Sequence, residues 1–423
     1  MGGTGAGAKC WPAMPPFRLE KLSWSDLPLG EVAFPKKTML IRSGFGSGLS
    51  RRPGDPPETV WAICDRGPNV KVKSAVEDWD VDALKPYVGE ASARLMPRLE
   101  IGPAIAELRV SDTAIEVVRT LKITTADGLP VTGLPLPPGP DLVSEPAFAM
   151  DGRRLPPDPR GFDTEGIAAL PDGGFWIADE FGPSLVRLDA EARVVVRLVP
   201  ECIALDAPYP VEGRLPAIAA KRQLNRGFEA VAPTRDGKWL YLAFQSPLAH
   251  PDIKAHEAAR HVRLWRLDAE TGALAAQYLY PLDAPESFER DVAKGPFTRA
   301  DVKVSELLAT ESGALIVLER GAETTKLYRI EPRDADALPP EHLDPETRPT
   351  IEELSGRDGA FPLPVLAKTL LFTSDDAPEL PADMEGMAQL SDRVLLLVND
   401  NDFGVEGAET SFWRLTFEAP LLS

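Results

Sequence analysis

Cysteine and histidine are scarce in this chain of 423 residues, which contains three cysteines and four histidines. The cysteines are far apart, odd in number and without C-x-x-C spacing, so they predict neither a disulfide framework nor a zinc site. The sequences G-x-S-x-G, H-E-x-x-H and G-x-x-x-x-G-K-[ST] are also absent. These absences argue against the chemistry of α/β-hydrolases, zinc proteases and phosphate-loop enzymes.

Basic residues and long apolar runs are also in short supply. The chain has 46 lysines and arginines against 65 aspartates and glutamates, and this net charge of −19 would repel a nucleic-acid backbone. No segment approaches the run of about 18 apolar residues that a membrane helix needs. We therefore expect a soluble, acidic, monomeric protein with no nucleic-acid partner and no membrane span.

The first residues lack both the basic start and the apolar run of a complete signal peptide. If an export signal has been removed, we expect a periplasmic or secreted protein, and otherwise a cytoplasmic one. Residues 1–16 are expected to form a flexible N-terminal segment.

Proline and glycine, with 43 and 33 copies, are abundant and separate short apolar segments, which excludes a coiled coil or a helical bundle. A pattern of strand, tight turn, strand, loop and strand recurs about every 65 to 80 residues. Its four clearest copies begin with residues 163–170, 227–232, 304–309 and 383–388. A degenerate copy has its second strand at 59–65, outer strands at 105–110 and 114–123, and an insertion near 66–103.

Each copy is interpreted as a four-stranded antiparallel sheet whose innermost strand is apolar on both faces. Such sheets bury their faces only when several pack in a ring, so the sequence predicts a single β-propeller of five to six blades over residues 17–423. Residues 17–22 are expected to join the last blade and close the ring. A pair of β-sandwiches is the alternative interpretation.

Acidic residues recur at the ends of the predicted hairpins. A two-residue turn at Asp172 and Gly173 would place Glu165 opposite Glu180, at the end of the hairpin far from the turn. The same construction pairs Glu306 with Glu319 and Glu385 with Asp400, and it places Glu229 near Gln245 and Asp65 at the end of the degenerate copy's second strand. These side chains are all expected at one mouth of the central channel.

Carboxylates gathered in this way raise one another's pKa unless a cation compensates them. Hard oxygen ligands favour Ca²⁺, with Mg²⁺ as the alternative, and the run from Asn399 to Asp402 adds further oxygen atoms. The other interpretation is structural, because glutamates at strand starts also bond neighbouring backbones or pair with arginines.

Four sequence segments, Asp65-Arg66-Gly67-Pro68-Asn69 and residues 161–167, 225–230 and 383–387, resemble the phytase-like, "esterase-like activity of phytase" family. The resemblance extends from about residue 43 to about residue 415. It implies a calcium-associated propeller that hydrolyses phosphate or carboxylic esters.

This resemblance leads to a metal-dependent hydrolase of phosphate or other esters as the first hypothesis. Glu229 is its predicted general base, Arg66, Arg226 and Arg320 are its oxyanion partners, and its metal ligands are Asp65, Glu165, Glu180, Glu306, Glu319, Glu385 and Asp400. No dense cluster of lysine and arginine accompanies them, so a smaller ester or a lactone fits as well as phytate. A lactonase-type propeller and a non-catalytic propeller that binds a small ligand are the alternatives.

Overall fold

Short apolar segments separated by tight turns form mostly antiparallel strands in the computed structural model, which describes residues 14–420. The parallel pairs are Val194–Pro200 with Val211–Leu215 and Arg94–Leu95 with Ala147–Phe148. Gly173 and Gly313 close two of the hairpins with φ angles of +93° and +85°. Glycine adopts this left-handed backbone conformation without the steric cost that other residues incur. The turn chemistry of the sequence therefore fixes where the strands reverse.

Five sheets of four or five strands follow one another along the chain. In order from the innermost strand outward, the first sheet comprises Gly48–Ser50, Thr59–Ile63, Ala104–Val110 and Ile115–Lys122. The second sheet comprises Thr164–Ala169, Phe175–Asp179, Ser184–Leu188, Val194–Pro200 and Val211–Leu215. The third and fourth comprise Phe228–Pro233, Trp239–Phe244, His261–Asp268 and Leu274–Pro281, then Lys303–Ala309, Leu315–Arg320, Thr325–Ile330 and Lys368–Thr373. The fifth comprises Met384–Gln389, Val394–Asn399, Phe412–Phe417 and Phe17–Leu22. The N-terminal strand thus pairs with the last sheet, as the sequence predicted.

The innermost strands of consecutive sheets contact one another, and that of the fifth sheet contacts that of the first. The sheets pack through large apolar side chains: Trp176 of the second sheet shares a buried cluster with Phe228 and Trp265 of the third. The Trp176 indole N–H also donates to the carbonyl of Ala269 at 2.9 Å. Burying one such side chain stabilises the fold by roughly 1.5–3 kcal/mol, so these contacts fix how neighbouring sheets are placed.

Two small sheets and several short helices complete the described chain. Val70–Lys71, Arg94–Leu95 and Ala147–Phe148 form one small sheet, and Pro28–Ala33 pairs with Thr38–Arg42. The α-helices are Val72–Glu77, Ile253–Ala258, Glu289–Lys294 and Ile351–Ser355. The 3₁₀ helices are Asp82–Tyr87, Ala217–Lys221, Pro285–Ser287, Arg299–Asp301, Asp334–Asp336, Pro340–Leu343, Ser374–Asp376 and Asp402–Gly407. Within residues 14–420, no helix is long and apolar enough to cross a membrane.

The pairing within the hairpins differs by one residue from the predicted register. The Leu170 N–H donates to Gly174 O at 2.9 Å, so the loop has three residues rather than the two that the sequence suggested. A β-bulge near the start of the innermost strand shifts the pairing once more, and Thr164 faces Asp179. The predicted pairing of Glu165 with Glu180 is therefore wrong.

The same correction applies to the fourth and fifth sheets. Val304 faces Glu319, and Met384 faces Asn399. Glu306 consequently does not lie opposite Glu319, nor Glu385 opposite Asp400.

Candidate active site

A bulge near the start of the innermost strand occurs in each of the last four sheets. The residues inside or at these bulges are Glu165, Glu229, Ser305 and Glu385. A bulge leaves an extra residue outside the ladder and re-aims its side chain. Three of the four sheets use this position for a glutamate, so the local backbone irregularity explains why these acids share one end of the sheets.

A second series of polar residues follows the second strand of each sheet. It consists of Asp65, Glu180, Gln245, Arg320 and Asp400, each at or just beyond the strand end. The acids of this second series, the bulge glutamates and the neighbouring Asp163 and Asp402 together form one cluster. We call this cluster the acidic mouth; it contains Asp65, Asp163, Glu165, Glu180, Glu229, Glu385, Asp400 and Asp402.

Two groups of three carboxylates in the acidic mouth come close enough to share a cation. The first group contains Asp65, Asp400 and Asp402, and the second contains Asp163, Glu165 and Glu180. Within each group, one oxygen atom from every residue lies within 4.8 Å of the others. These distances allow each group to hold an ion through oxygen atoms alone.

The pKa values of these carboxyl groups reflect how they are crowded together. Removal from bulk water raises the pKa of Glu165 well above its usual range, and the charges of Glu229 and Asp163 raise it further. Burial likewise raises the pKa of Asp400, followed by the charges of Asp402 and Glu385. A cation placed between the carboxylates would reverse both effects, because it favours the ionised form.

The loop after the fifth sheet's second strand orients the first group. Asp400 Oδ1 accepts hydrogen bonds from the backbone N–H groups of Asn401 at 2.7 Å and Asp402 at 3.3 Å. The Asn401 side chain is buried and donates to the Ser43 carbonyl at 2.9 Å. The Asn-Asp-Asn-Asp run is thus held by the segment that precedes the first sheet.

Arg66 and Arg320 are buried in the mouth, and most of their N–H groups already have partners. Arg66 binds Asp163 through two nitrogen atoms, Glu145 at 2.5 Å and Asn225 at 2.6 Å. Arg320 donates to Asp383 at 2.9 Å and to Glu385. Both arginines therefore hold carboxylates in place.

Arg226 has a different environment. Its Nη1 atom is buried and has no hydrogen-bond partner within residues 14–420. Burial lowers the pKa of Arg226, while the charges of Glu180 and Glu229 raise it. Its guanidinium is thus placed beside carboxylates with a donor left over for an external group.

Glu229 also has an unused atom. Its Oε1 accepts from Gln245 and, at 3.5 Å, from Ser305, whereas Oε2 is buried without a partner in the described chain. Burial raises the pKa of Glu229, partly offset by the Gln245 hydrogen bond and the Arg320 charge. A carboxylate with a raised pKa and a free oxygen atom can accept a proton near neutral pH.

Three of the predicted ligands lie outside both carboxylate groups: Glu385, which accepts from Arg320, and the two glutamates Glu306 and Glu319. Glu306 is fully buried between innermost strands and accepts from the backbone N–H groups of Leu49 at 3.1 Å and Leu307 at 3.0 Å. Glu319 accepts from Lys368 at 2.6 Å and from the Asp283 N–H at 2.7 Å. The prediction of both at the mouth is wrong, because the shifted register turns them toward these structural partners.

Comparison with known proteins identifies the family of this chain. The sequence model of the phytase-like family, described as "Esterase-like activity of phytase", matches residues 42–403. The chain belongs to this family. A protein of Arthroderma benhamiae described as an "Uncharacterized secreted protein" is 25% identical over 323 residues, which cover 66% of this chain and 59% of the relative. The phytase-like chain thus spans less than two thirds of that relative.

The solved structures that match this chain differ from it strongly in sequence and have low TM-scores. A gluconolactonase from Xanthomonas campestris is 8% identical, with a TM-score of 0.34 over 94% of this chain and 99% of the other. The calcium-binding protein regucalcin from Agrobacterium tumefaciens is 13% identical, with a TM-score of 0.33 over 94% and 98% of the two chains.

Asp163 and Lys303 were missed by the sequence analysis as candidate site residues, and Asp402 was included only as part of the run from Asn399 to Asp402 that adds oxygen atoms. Asp163 and Asp402 each complete a carboxylate group. Lys303 lies among Arg320, Arg226, Glu385 and Glu229, and burial followed by the two arginine charges lowers its pKa to about 8. Both aspartates stand within two residues of a predicted ligand, so this proximity was the signal that could have found them.

Proposed function

We propose that this protein is a metal-dependent hydrolase of phosphate or other esters that acts at the acidic mouth of a single five-bladed β-propeller. The contacts between successive innermost strands, including that between the fifth and first sheets, support a ring of five blades rather than six. All of the mouth acids lie at one end of these strands, so they would surround one opening of the channel. Membership of the phytase-like family supports ester hydrolysis.

The pair of three-carboxylate groups is the observation that carries this proposal. Asp65, Asp400 and Asp402 would hold one cation, and Asp163, Glu165 and Glu180 would hold another. Their donor set is all oxygen, which suits Ca²⁺ first and Mg²⁺ second. The buried Glu229 Oε2 and Glu145 Oε1 atoms lack partners in the described chain, which fits a site made for an additional group.

A bound cation would polarise the ester oxygen and lower the pKa of a water molecule. Glu229 Oε2, which has no partner within the described residues, would accept the proton that the attacking water loses as its oxygen bonds to the phosphorus or carbonyl carbon. The P–O or C–O bond to the leaving group then breaks, and Glu229 would return the proton to the departing oxygen. The unpartnered Arg226 Nη1 would donate to the oxygen on which negative charge develops. Arg66 and Arg320 act as positioning residues, because they fix Asp163 and Glu385.

A lactonase is the second candidate function. Near the acidic mouth, the cations without a hydrogen bond to a carboxylate in the described chain are Arg94, Arg222, Arg226 and Lys303. The eight acids of the mouth outnumber these four cations, so a substrate with many phosphate groups would meet net negative charge, whereas a lactone carbonyl needs little positive charge. In that reaction, water adds to the ring carbonyl and the ring C–O bond breaks. The secreted relative supports an extracytoplasmic site of action, the first of the two expected locations.

Calorimetric titration of chelator-stripped protein with Ca²⁺ tests this proposal. We expect Asp400→Asn and Glu165→Gln to weaken binding by about tenfold or more, because each removes one charged ligand. Glu319→Gln is the matched control, a buried carboxyl outside both groups, and should leave the Ca²⁺ affinity unchanged.

Turnover distinguishes the candidate activities in the same samples. Rates of hydrolysis of an aryl phosphate, an aryl acetate and a γ-lactone should show which substrate class the protein acts on. Chelation should abolish this activity, and added Ca²⁺ should restore it. An absence of Ca²⁺ binding, or equal binding in all variants, would contradict the proposal. Binding without turnover of any ester would instead identify a ligand-binding propeller.

A further inference from the structure

The turn end of the innermost strands, opposite the acidic mouth, contains a cavity of about 180 Å³. Residues of all five innermost strands line it, among them Leu49, Ile167, Val231, Leu307 and Gln389. The fifth-sheet strand runs from Glu385 at the mouth to Gln389 at this cavity. Four residues of strand span about 13 Å, so the two sites are separate.

Three arginines line this cavity in a protein of net charge −19: Arg51, Arg52 and Arg235. The carboxylate that lines it with them is Asp55, which lies 3.9 Å from Arg52 and accepts from the Trp61 indole at 2.8 Å. The arginine cavity, as we call it, is thus locally positive. Nearby carboxylates compensate the three arginines unequally: Glu311 pairs with Arg235, whereas Asp55 and Glu58 act on Arg51 without forming an ion pair with it.

Arg51 is poorly compensated by the surrounding protein. Its Nη1 contacts the carbonyls of Gln389 at 3.4 Å and Leu390 at 3.5 Å, which are at the long limit for a hydrogen bond. Its Nε is buried without a partner, and no carboxylate pairs with it in the described part of the chain. Burial and then the charge of Arg235 lower the pKa of Arg51, and the charges of Asp55 and Glu58 offset only part of this effect.

Arg52 and Arg235 are oriented in different ways. Arg52 stacks 4.5 Å from the Trp61 ring and 4.9 Å from the Phe175 ring, and it donates to Gly173 O at 2.6 Å. These contacts hold its guanidinium rigidly against the wall of the cavity. Arg235 is exposed at the rim and pairs with Glu311 at 2.9 Å.

We propose that the arginine cavity is a binding site for a small oxyanion, either free phosphate or the phosphate or carboxylate group of a small molecule. Guanidinium groups match the oxygen spacing of these anions and bind them with two parallel hydrogen bonds. Arg51 is the principal ligand, Arg235 closes the rim, and the cavity exceeds the roughly 30 Å³ that one water molecule occupies. The site is independent of the hydrolase proposed above, because it shares no residue with the acidic mouth.

The test is calorimetric titration of the full chain with inorganic phosphate at fixed ionic strength and in the presence of chelator. The chelator prevents phosphate from binding through a cation at the acidic mouth. We expect saturable binding that Arg51→Gln and Arg235→Gln each weaken by about tenfold or more, since each removes a charged donor. Arg51→Lys should have an intermediate affinity, because it keeps the charge and loses the two-pronged geometry.

Arg109→Gln is the matched control. Arg109 is an exposed arginine, 60% accessible, that pairs with Glu116 at 3.1 Å, as the 63% accessible Arg235 pairs with Glu311. This variant should bind phosphate like the unaltered protein, and so should Asp400→Asn. If Arg51→Gln does not fold, the exposed Arg235→Gln decides the question. No saturable binding in chelator, or equal binding by both arginine variants and the control, would overturn the proposal.

Discussion

Identical side chains in this protein serve different purposes according to which atoms surround them. Glu180 and Glu319 are both fully or nearly fully buried glutamates at the end of a second strand. Glu319 has Lys368 and Tyr280 as partners, so its charge is neutralised within the fold. Glu180 instead faces Glu229 and Asp163. Burial raises the pKa of Glu180 well above its usual range, and the charges of these two acids raise it further. The first is suited to stability and the second to binding a cation.

His261 provides a test of this reasoning at one residue. The imidazole Nδ1 lies 2.8 Å from Ser355 Oγ, and the ring stacks on Phe361. Burial first, and then the charges of Arg260 and Arg299, lower its pKa from 6.5 to about 4. The unfolded chain therefore binds a proton between about pH 6.5 and pH 4 that the folded protein does not, and stability falls as pH falls through this window.

We expect His261→Gln to lose this contribution to the pH dependence. Urea unfolding of both proteins at about pH 7 and about pH 5 measures it. The free energy of unfolding should fall more between these pH values in the unaltered protein than in the variant. An equal fall in both would show that His261 titrates normally in the folded state. Carboxyl groups that titrate in the same range are common to both proteins, so they cancel in the comparison.

At the scale of the strands, the sequence predicted which segments form strands far better than how neighbouring strands are aligned with one another. Tight turns between apolar segments identified the first three strands of each of the last four sheets, but the outermost strands Val211–Leu215 and Lys368–Thr373 were not predicted. The three-residue Gly48–Ser50 strand was not predicted, because it is too short to show a period. Loop length and bulges then decided which acids meet, and neither can be read from composition. This is why Glu306 and Glu319 were assigned wrongly.

The bulges require close approach between neighbouring innermost strands, and Gly166 shows how close. A Cβ atom at Gly166 would lie 2.8 Å from both Glu229 O and Val231 N, although the backbone of Gly166 is not in the left-handed region. Backbone atoms cannot give way as a flexible side chain does. A side chain at Gly166 would push the two innermost strands apart and would thereby move the adjacent Glu165, a predicted ligand.

Gly166→Ala should therefore both destabilise the fold and disturb the acidic mouth. We expect a loss of roughly 1–3 kcal/mol in the free energy of unfolding, as for other overpacked sites, together with weaker Ca²⁺ binding. Gly89→Ala is the control, since a Cβ there would meet no atom within 4 Å. Thermal unfolding and Ca²⁺ titration of the two variants measure both effects. Normal stability in Gly166→Ala would mean that the strands can separate at little cost.

For the whole molecule, the proposed ring depends on a strand from the start of the described chain. Phe17–Leu22 pairs with Phe412–Phe417 and so links residues almost 400 positions apart. Sheets joined in this way leave no blade free to separate without breaking a contact on the other side. The composition and repeats could predict such an arrangement, because each sheet on its own leaves apolar faces exposed.

The closing strand can be tested through the direction of its backbone N–H groups. The Glu418 N–H donates to Pro16 O at 3.1 Å, and hydrogen-bonded pairs alternate along an antiparallel ladder. The Glu20 N–H should therefore point toward the paired strand, while that of Lys21 points away. Consistent with this alternation, Ser23 N–H donates in the opposite direction, to Thr113 O at 2.8 Å.

Proline at these two adjacent positions should have unequal effects. Glu20→Pro removes a ladder hydrogen bond and leaves its acceptor unpaired, which should cost about 1–3 kcal/mol. Lys21→Pro removes an N–H that lies outside the ladder and should cost less. Thermal unfolding followed by circular dichroism measures the difference, with far-UV spectra to check that both variants fold. If closure matters for the whole ring, Glu20→Pro should lower the unfolding temperature of all five sheets together. Equal effects of the two prolines would contradict the inferred direction of the N–H groups. A separate early transition confined to the fifth sheet would contradict a closed ring, because such a ring distributes the loss of one ladder over every blade.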